Sequence, residues 1–318
     1  MELNDAQVGW FVDNRLKLEK GKRSEYLAQV DGLIVNFTAQ AKEDANLRIV
    51  KFLKTGSLRK GTVLRPGGGV GVDADIAVFL TLKDPNVYDL DELHDRIRAL
   101  LIAAYPGKSE DDFTVQPRTL GIEFRTSGLA LDLVPVIPID GPDDYGLQPS
   151  SRGEPFLRTS VTKQLEFIRA RKEEYGRFTS LVRLLKHWRN QQELDELRSF
   201  IIELLVSHLQ DVHGPPQSLE DGLRRFFLYL AQSELREPVV VRELGTQTRL
   251  PADRVVILDP VNAENNVARR LTDEHCGEIA ARATDAWEAL NAAHHNGFKG
   301  ETLELWKEVF GRSFAIEE

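Results

Sequence analysis

The sequence predicts an α+β fold: a mixed sheet with helices packed on it in residues 1–160, then a helical lobe over residues 161–318. Three observations predict it. Residues 74–82 and the stretch "FTVQPRTLGIEFRTSGLALDLVPVIPID" (113–140) carry the apolar alternation and turn residues of strands. Between them, "DLDELHDRIRALLIAAYP" (89–106) reads as an amphipathic helix, opened by acids and closed by Pro106 and Gly107. From about residue 160 the period changes to that of helices and keeps it.

In chain order, residues 1–50 read as helices, with Leu27, Val30, Leu33, Ile34 and Phe37 at helical spacing. The strand at 74–82 follows a glycine run, and Ser127-Gly128 divides the later strands. In the second half "VTKQLEFIRARKEEY", "FTSLVRLLKHWRNQ", "RSFIIELLVSHLQDV", "LEDGLRRFFLYLAQSEL" and "CGEIAARATDAWEALNAAHH" are helix-like, with a β-rich interruption, "EPVVVRELG" (237–245), before the last. Two lobes are expected to enclose a cleft, a common setting for small-molecule sites.

The chain has 318 residues, 42% of them hydrophobic, enough for two compact lobes. No run of about 18 apolar residues predicts a membrane span. The start, "MELNDAQVGWFVDNRLKLEKGKR", lacks the basic opening and apolar core of a signal peptide. A single cysteine, Cys276, can form no internal disulfide and suits a reducing, cytoplasmic setting. The net charge of −9 argues against a dedicated duplex-DNA binder, yet a local cationic pocket for small anions is compatible with it.

Several motifs fall away. "GVGVDA" (69–74) fits a relaxed dinucleotide fingerprint, but strand-like "DIAVFL" follows it where that fingerprint needs a helix. "GKS" (107–109) would need a glycine at Ile102 to be a Walker loop. The acidic stretch "DPNVYDLDELHD" has Asp89 where a calcium loop needs glycine. "HC" at 275–276 and "HH" at 294–295 cannot make a usual structural zinc set with one cysteine.

The aspartates remain. Asp73 and Asp75 are one residue apart at a strand threshold, so both carboxylates point to one face. Asp132 is a lone acid in the apolar strand "LALDLVPV", and burying an unpaired carboxylate is costly. Three carboxylates on neighbouring strands suit Mg²⁺, a hard cation that takes oxygen ligands and bridges to phosphates. The competing structural reading is a D-x-D turn plus an acid paired with an arginine such as Arg125. Gly56-Ser57 favours the metal–phosphate reading: glycine permits close approach of a phosphate, and a serine hydroxyl can hold its oxygens.

"GSLRKGT", "DADIAVFL" and "LDLVPV", continued by "FIRARK", "LVRLLKHWRNQ", "RSFIIELL", "ILDPVNAENNVARRL" and "WKEVFGRSF", resemble the polymerase-beta-like nucleotidyltransferases. Within them the chain most resembles the cGAS/DncV-like enzymes (CD-NTases) of bacterial anti-phage (CBASS) signalling, clades C and D. The resemblance covers most of the chain and implies a polymerase-beta-like lobe with a helical lobe completing the nucleotide pocket. It implies an ATP- and Mg²⁺-dependent cyclic oligonucleotide synthase, with cyclic tri-adenylate or another cyclic di- or trinucleotide as product. Partners implied are a HORMA-domain activator, a Trip13-type ATPase and a downstream effector.

Carried over by position, Gly56 and Ser57 fall on the motif that holds the donor triphosphate, and Asp73, Asp75 and Asp132 on the catalytic metal ligands. Lys186 and Ser199 match triphosphate contacts, and Asn262 and Asn266 a loop lining the base pocket. The stretch between Ser57 and Asp73 is longer and richer in glycine than in the family. Read without the resemblance, Lys186 is a solvated lysine beside the stripe Leu181, Leu184, Leu185 and Trp188. Ser199 then reads as a helix N-cap, and Asn262 and Asn266 as turn and cap residues. Two other functions share the motifs: transfer of nucleotides to a protein, RNA or small-molecule acceptor, and a catalytically inactive nucleotide-binding subunit.

Overall fold

A computed structural model describes residues 3–67, 71–82, 90–141, 144–150, 154–245 and 247–317. The centre of the glycine run (68–70) and most of the acidic stretch before the first amphipathic helix (83–89) lie outside the described residues. The chain divides into two compact units, Leu18–Glu166 and the combination of residues 1–17 with 167–318.

The first unit is built on a sheet. Its elements run α2 (Lys20–Ala41), β1 (Leu47–Thr55), α3 (Gly56–Lys60), β2 (Val72–Leu82), α4 (Leu90–Ala104), β3 (Phe113–Val115), β4 (Leu120–Phe124), β5 (Leu129–Pro138), β6 (Gly146–Gln148) and β7 (Leu157–Thr159). Helix α1 (Asp5–Phe11) precedes them and belongs to the other unit. The main sheet runs β1-β2-β5-β4-β3, and β6 and β7 extend it from the far end of β5. Among the described strands of this sheet, β2 and β5 pair in parallel and the other pairs are antiparallel.

One face of this sheet carries the core. Val72, Ala74, Ile76, Val78 and Leu80 of β2 and Leu129, Leu131 and Leu133 of β5 are buried with Val30, Leu33 and Phe37 of α2 and Ile97 and Leu101 of α4. Period two then forces the alternate residues to the opposite face. There Ala77, Phe79 and Val136 form a smaller cluster with Val161, and Asp73, Asp75 and Asp132 lie towards the strand starts.

Two pins fix where β2 begins. The amide of Val72 donates to the carbonyl of Gly128 (2.8 Å), and the hydroxyl of Tyr26 on α2 donates to the carbonyl of Ser127 (3.1 Å). Gly71 is squeezed in the same place: a β-carbon there would meet the Gly128 oxygen at 2.6 Å.

The second unit is helical. After α5 (Val161–Glu174), whose last residues belong to it, come α6 (Phe178–Gln191), α7 (Ser199–His213), α8 (Leu219–Ser233), the short hairpin β8 (Leu258–Asp259) and β9 (Asn262–Asn266), α9 (Asp273–His295) and α10 (Lys299–Phe310). The N-terminal residues join this unit through an aromatic cluster and specific bonds. Phe11 packs against Phe314 (4.8 Å between centroids), and Trp306 stacks on Phe314 and Phe310. The amide of Leu3 donates to Glu220 (3.1 Å), and Asp5 pairs with Arg177 (2.7 Å).

Two local expectations are corrected. Residues 47–50 open strand β1 instead of ending a helix; "LRIVKFLKT" carries β-branched and alternating apolar residues that suit a sheet. "EPVVVRELG" forms an isolated bridge, Val239 to Ile257, and a single 3₁₀ turn at Arg242–Leu244. That turn is held by ions: Arg171, fully buried, pairs with Asp211 and with Glu243 (2.6 Å), and Arg242 pairs with Glu174.

Candidate active site

The register of the sheet composes the site. In the parallel pair Asp75 stands opposite Asp132, and in the next pair of rows Asp73 stands opposite Ala130. The row through Asp75 continues in both directions: Thr55 on β1, Asp75 on β2, Asp132 on β5, Gly121 on β4 and Thr114 on β3. Residues directly opposite in a ladder share a face, so this is one line of side chains across five strands.

Gly56 follows Thr55 with φ +67°, a conformation glycine adopts without strain. A β-carbon at Gly56 would fall 1.7 Å from Oδ2 of Asp75. The glycine therefore lets the chain turn directly over that carboxylate as helix α3 begins, and Ser57 is the second residue of that helix. The carbonyl of Ser57 accepts the amides of Gly61 and Thr62 (3.0 Å each), which ties the turn into a compact unit.

The electrostatics are those of crowded acids. The carboxyl of Asp132 is pushed up to about 6, by burial first, then by the charges of Asp75 and Asp73. Arg125, the alternative partner considered for it, instead pairs with Asp112 (2.8 Å). Among the described residues, no three His, Cys, Asp or Glu side chains are gathered at metal-ligating distance. A cation would have to draw the three acids in; their chemistry, oxygen donors of like charge on one face, is that of a hard divalent ion's ligands.

Lys186, Ser199, Asn262 and Asn266 belong to the helical unit. Lys186 is not the solvated lysine of the plain reading: with Arg183 it is buried in α6. Ser199 is the first residue of α7, and the N-cap position belongs to Arg198. The Asn262 side chain accepts the amide of Glu264 (3.1 Å) in a local turn. Asn266 is buried, and its side chain braces its own loop. Its oxygen accepts from Ile257 (3.0 Å) and Ala268 (3.1 Å), and its amide nitrogen donates to Asp253 (2.9 Å) and Val255 (2.6 Å).

Gly121 and Thr114 were not singled out from the sequence. The available signal was a lone glycine between the core residues Leu120 and Ile122 of a strand, a pattern that marks a close approach.

No protein-family profile matches the chain. It is 36% identical over 320 residues, covering 100% of this chain and 99% of the relative, to a CBASS oligonucleotide cyclase CdnC of Escherichia coli (strain KTE188). It is 34% identical over 314 residues, 96% of each chain, to a cyclic AMP-AMP-AMP synthase of Escherichia coli (strain MS 115-1). The solved structure of E. coli MS115-1 CdnC with ATP superposes with a TM-score of 0.82 at 33% identity, covering 98% of this chain and 99% of that one. The Vibrio cholerae cyclic AMP-GMP synthase DncV shares the fold at a TM-score of 0.76 and 11% identity, covering 98% of this chain and 96% of that one. With a sheet that aligns the acids, a glycine that turns over one of them and near-complete coverage by these relatives, the chain belongs to the CBASS oligonucleotide cyclases, the cGAS/DncV-like family of nucleotidyltransferases.

Proposed function

We propose that this enzyme joins ATP into cyclic tri-adenylate, with Asp73, Asp75 and Asp132 as its catalytic acids and Gly56-Ser57 as the seat of the donor triphosphate. The observation that carries the reading is the pairing of Asp75 with Asp132 under the side-chain-free turn at Gly56. Making a cyclic oligonucleotide from nucleoside triphosphates in anti-phage defence is the activity of its family. The choice of ATP and of a three-membered ring is supported by the 34%-identical relative that is a cyclic AMP-AMP-AMP synthase.

Two magnesium ions on the three acids would supply charge neutralisation at the α-phosphate and the departing pyrophosphate. The protein's own part is placement. Ser57 presents its hydroxyl to a phosphate oxygen, and Gly56 lets the backbone come within reach. In each condensation a ribose hydroxyl of one nucleotide gives up its proton, which ends in solvent, and its oxygen bonds to the α-phosphorus of the next. The α–β P–O bond breaks and pyrophosphate leaves. Lys186 and Ser199 are proposed as further contacts of triphosphate oxygens, and the Asn262–Asn266 segment as part of the base pocket.

A HORMA-domain activator is the proposed partner, since an E. coli CdnC 32% identical to this chain has been solved as a CdnC:HORMA-deltaN complex. A Trip13-type ATPase and a nucleotide-responsive effector complete the proposed system. An activator that favours the competent state must bind it more tightly, and by linkage ATP should tighten activator binding by the same factor.

The test is mass spectrometry of products from labelled triphosphates, Mg²⁺ and the cognate HORMA protein, with Asp73→Asn plus Asp75→Asn as control. A phosphatase-resistant cyclic adenylate made only by the unaltered protein supports the reading. A labelled macromolecule or drug in place of a small cyclic product, or full activity in the double variant, would overturn it.

A further inference from the structure

Helix α2 sets a stripe of four side chains into the core of the sheet: Tyr26, Val30, Leu33 and Phe37, none more than 2% exposed. Three of them are hydrocarbon. The fourth carries a hydroxyl, and a buried hydroxyl without a partner is costly. Phenylalanine would fill much the same space with no polar atom to satisfy, so packing alone does not account for a tyrosine here.

The hydroxyl is spent on a main-chain atom 101 residues away: it donates to the carbonyl of Ser127 (3.1 Å). Three residues further along the helix, the side-chain oxygen of Gln29 accepts from the Ser127 hydroxyl (2.9 Å). Helix α2 thus grips one residue of the β4–β5 turn from two positions.

The gripped residue leads straight to the acids. Gly128 comes next in the chain, and its carbonyl accepts the amide of Val72, the first rung between β5 and β2. Asp73 follows Val72. Its neighbours Val72 and Ala74 face the core, so its carboxylate faces the other side. Of the two aspartates on β2, Asp73 is the less firmly held. The β1–β2 pairing reaches Thr55 opposite Asp75, and Asp73 lies beyond that pair. Its place is set from the β5 side, where it stands opposite Ala130, one position after the Val72 rung.

We propose that Tyr26 is a positioning residue for Asp73: through Ser127, Gly128 and Val72 it fixes where that carboxylate stands when the acids take up divalent cations. This rests on the reading of Asp73 as a catalytic metal ligand. The donor seat at Gly56 and Ser57 is reached through β1 and α3 and lies off this path.

The experiment uses the full chain. Tyr26→Phe removes the hydroxyl and keeps the ring. Phe37→Leu trims the same stripe about 16 Å further along the helix and serves as the control for lost stability. The first readout is hydrogen exchange of the metal-free protein, comparing the amide of Val72 with that of Val78 in the middle of the same strand. The second is the Mg²⁺ dependence of ATP turnover with the cognate activator. Tyr26→Phe should quicken exchange at Val72 relative to Val78 by roughly 2- to 10-fold, the worth of one hydrogen bond. The Mg²⁺ concentration for half-maximal turnover should rise by a similar factor. KM for ATP at saturating Mg²⁺ should stay within about twofold. Phe37→Leu should lower the melting temperature and produce neither change.

Equal quickening at Val72 and Val78, or an unchanged Mg²⁺ requirement in Tyr26→Phe, would overturn the proposal. So would a Phe37→Leu variant whose Mg²⁺ requirement rises as far as that of Tyr26→Phe. Full activity in Asp73→Asn plus Asp75→Asn would instead remove the underlying catalytic reading, whatever the exchange at Val72 shows.

Discussion

Gly56 and Asp75 are in contact through a missing side chain: a methyl group on the Gly56 α-carbon would lie 1.7 Å from the Asp75 carboxylate oxygen. The requirement is double, because the Gly56 φ of +67° also disfavours any L side chain.

Gly56→Ala should therefore cost about 1–2 kcal/mol of stability from the left-handed backbone alone. Its larger effect should be on catalysis, since a displaced Asp75 is a misplaced reacting group, and misplacement of about 1 Å can cost on the order of 100-fold. Thermal melting and product formation at a temperature where the variant is fully folded separate the two. Near-normal turnover in the folded variant would show that the Asp75 carboxylate need not lie where Gly56 leaves it.

Asp132 should make apo-protein stability depend on pH in a particular direction. Its carboxyl is raised from the ordinary 3.8 to about 6, so the folded chain holds a proton that the unfolded chain releases. The cost of ionising it is absent below about pH 4, grows as pH rises and is complete above about pH 6, reaching at most about 3 kcal/mol. Asp132→Asn abolishes this cost. Without metal, the variant's melting temperature minus that of the unaltered protein should rise from pH 4 to pH 7. A difference that is flat across that range would show that Asp132 is not strained by its neighbours.

Asn266→Ala should behave as a fold variant. It strips partners from two backbone amides, one backbone carbonyl and Asp253, at roughly 1–3 kcal/mol for each buried group left unsatisfied, partly offset by water. Urea unfolding should show the loss, while ATP affinity per folded molecule changes little. A stable protein with selectively weakened ATP binding would instead make Asn266 a direct base contact.

Arg171→Met should destabilise by about 3–5 kcal/mol, because the fully buried guanidinium is the partner of Asp211 and Glu243. Arg171→Lys should recover little of this, since one ammonium cannot match the two-pronged pairing with Asp211. Unfolding midpoints of the two variants check it; a lysine variant as stable as the unaltered protein would show that charge alone suffices.

The three acids were legible in the sequence for physical reasons. Asp73 and Asp75 sit at even spacing on a strand threshold, and Asp132 breaks an apolar run, so each is anomalous in its own window. Their register was not legible, because pairing β2 with β5 in parallel is a long-range event that no local window encodes. Thr114 was hidden for the same reason: it becomes part of the row only through two further strand pairings. The N-terminal residues were read as helices of the sheet lobe. Their helicity was visible, but their allegiance depends on Phe11 meeting Phe314 and Leu3 meeting Glu220, distant in sequence. The plain reading of Lys186 as solvated, made without the resemblance, fails because amphipathic periodicity ranks positions by an apolar stripe, whereas α6 buries polar positions beside the stripe as well.

The bond from the Val72 amide to the Gly128 carbonyl has an evolutionary consequence. Because β2 starts at a point set by the β4–β5 turn and by Tyr26 behind it, the placement of the acids does not depend on how much chain joins Gly67 to Gly71, past the buried Thr62 and Val63. Entropic cost grows only slowly with the length of such a connection. Lineages could therefore lengthen, shorten or recode it with little disturbance to the chemistry, leaving a patch of sequence free to drift under pressure from rapidly changing phage.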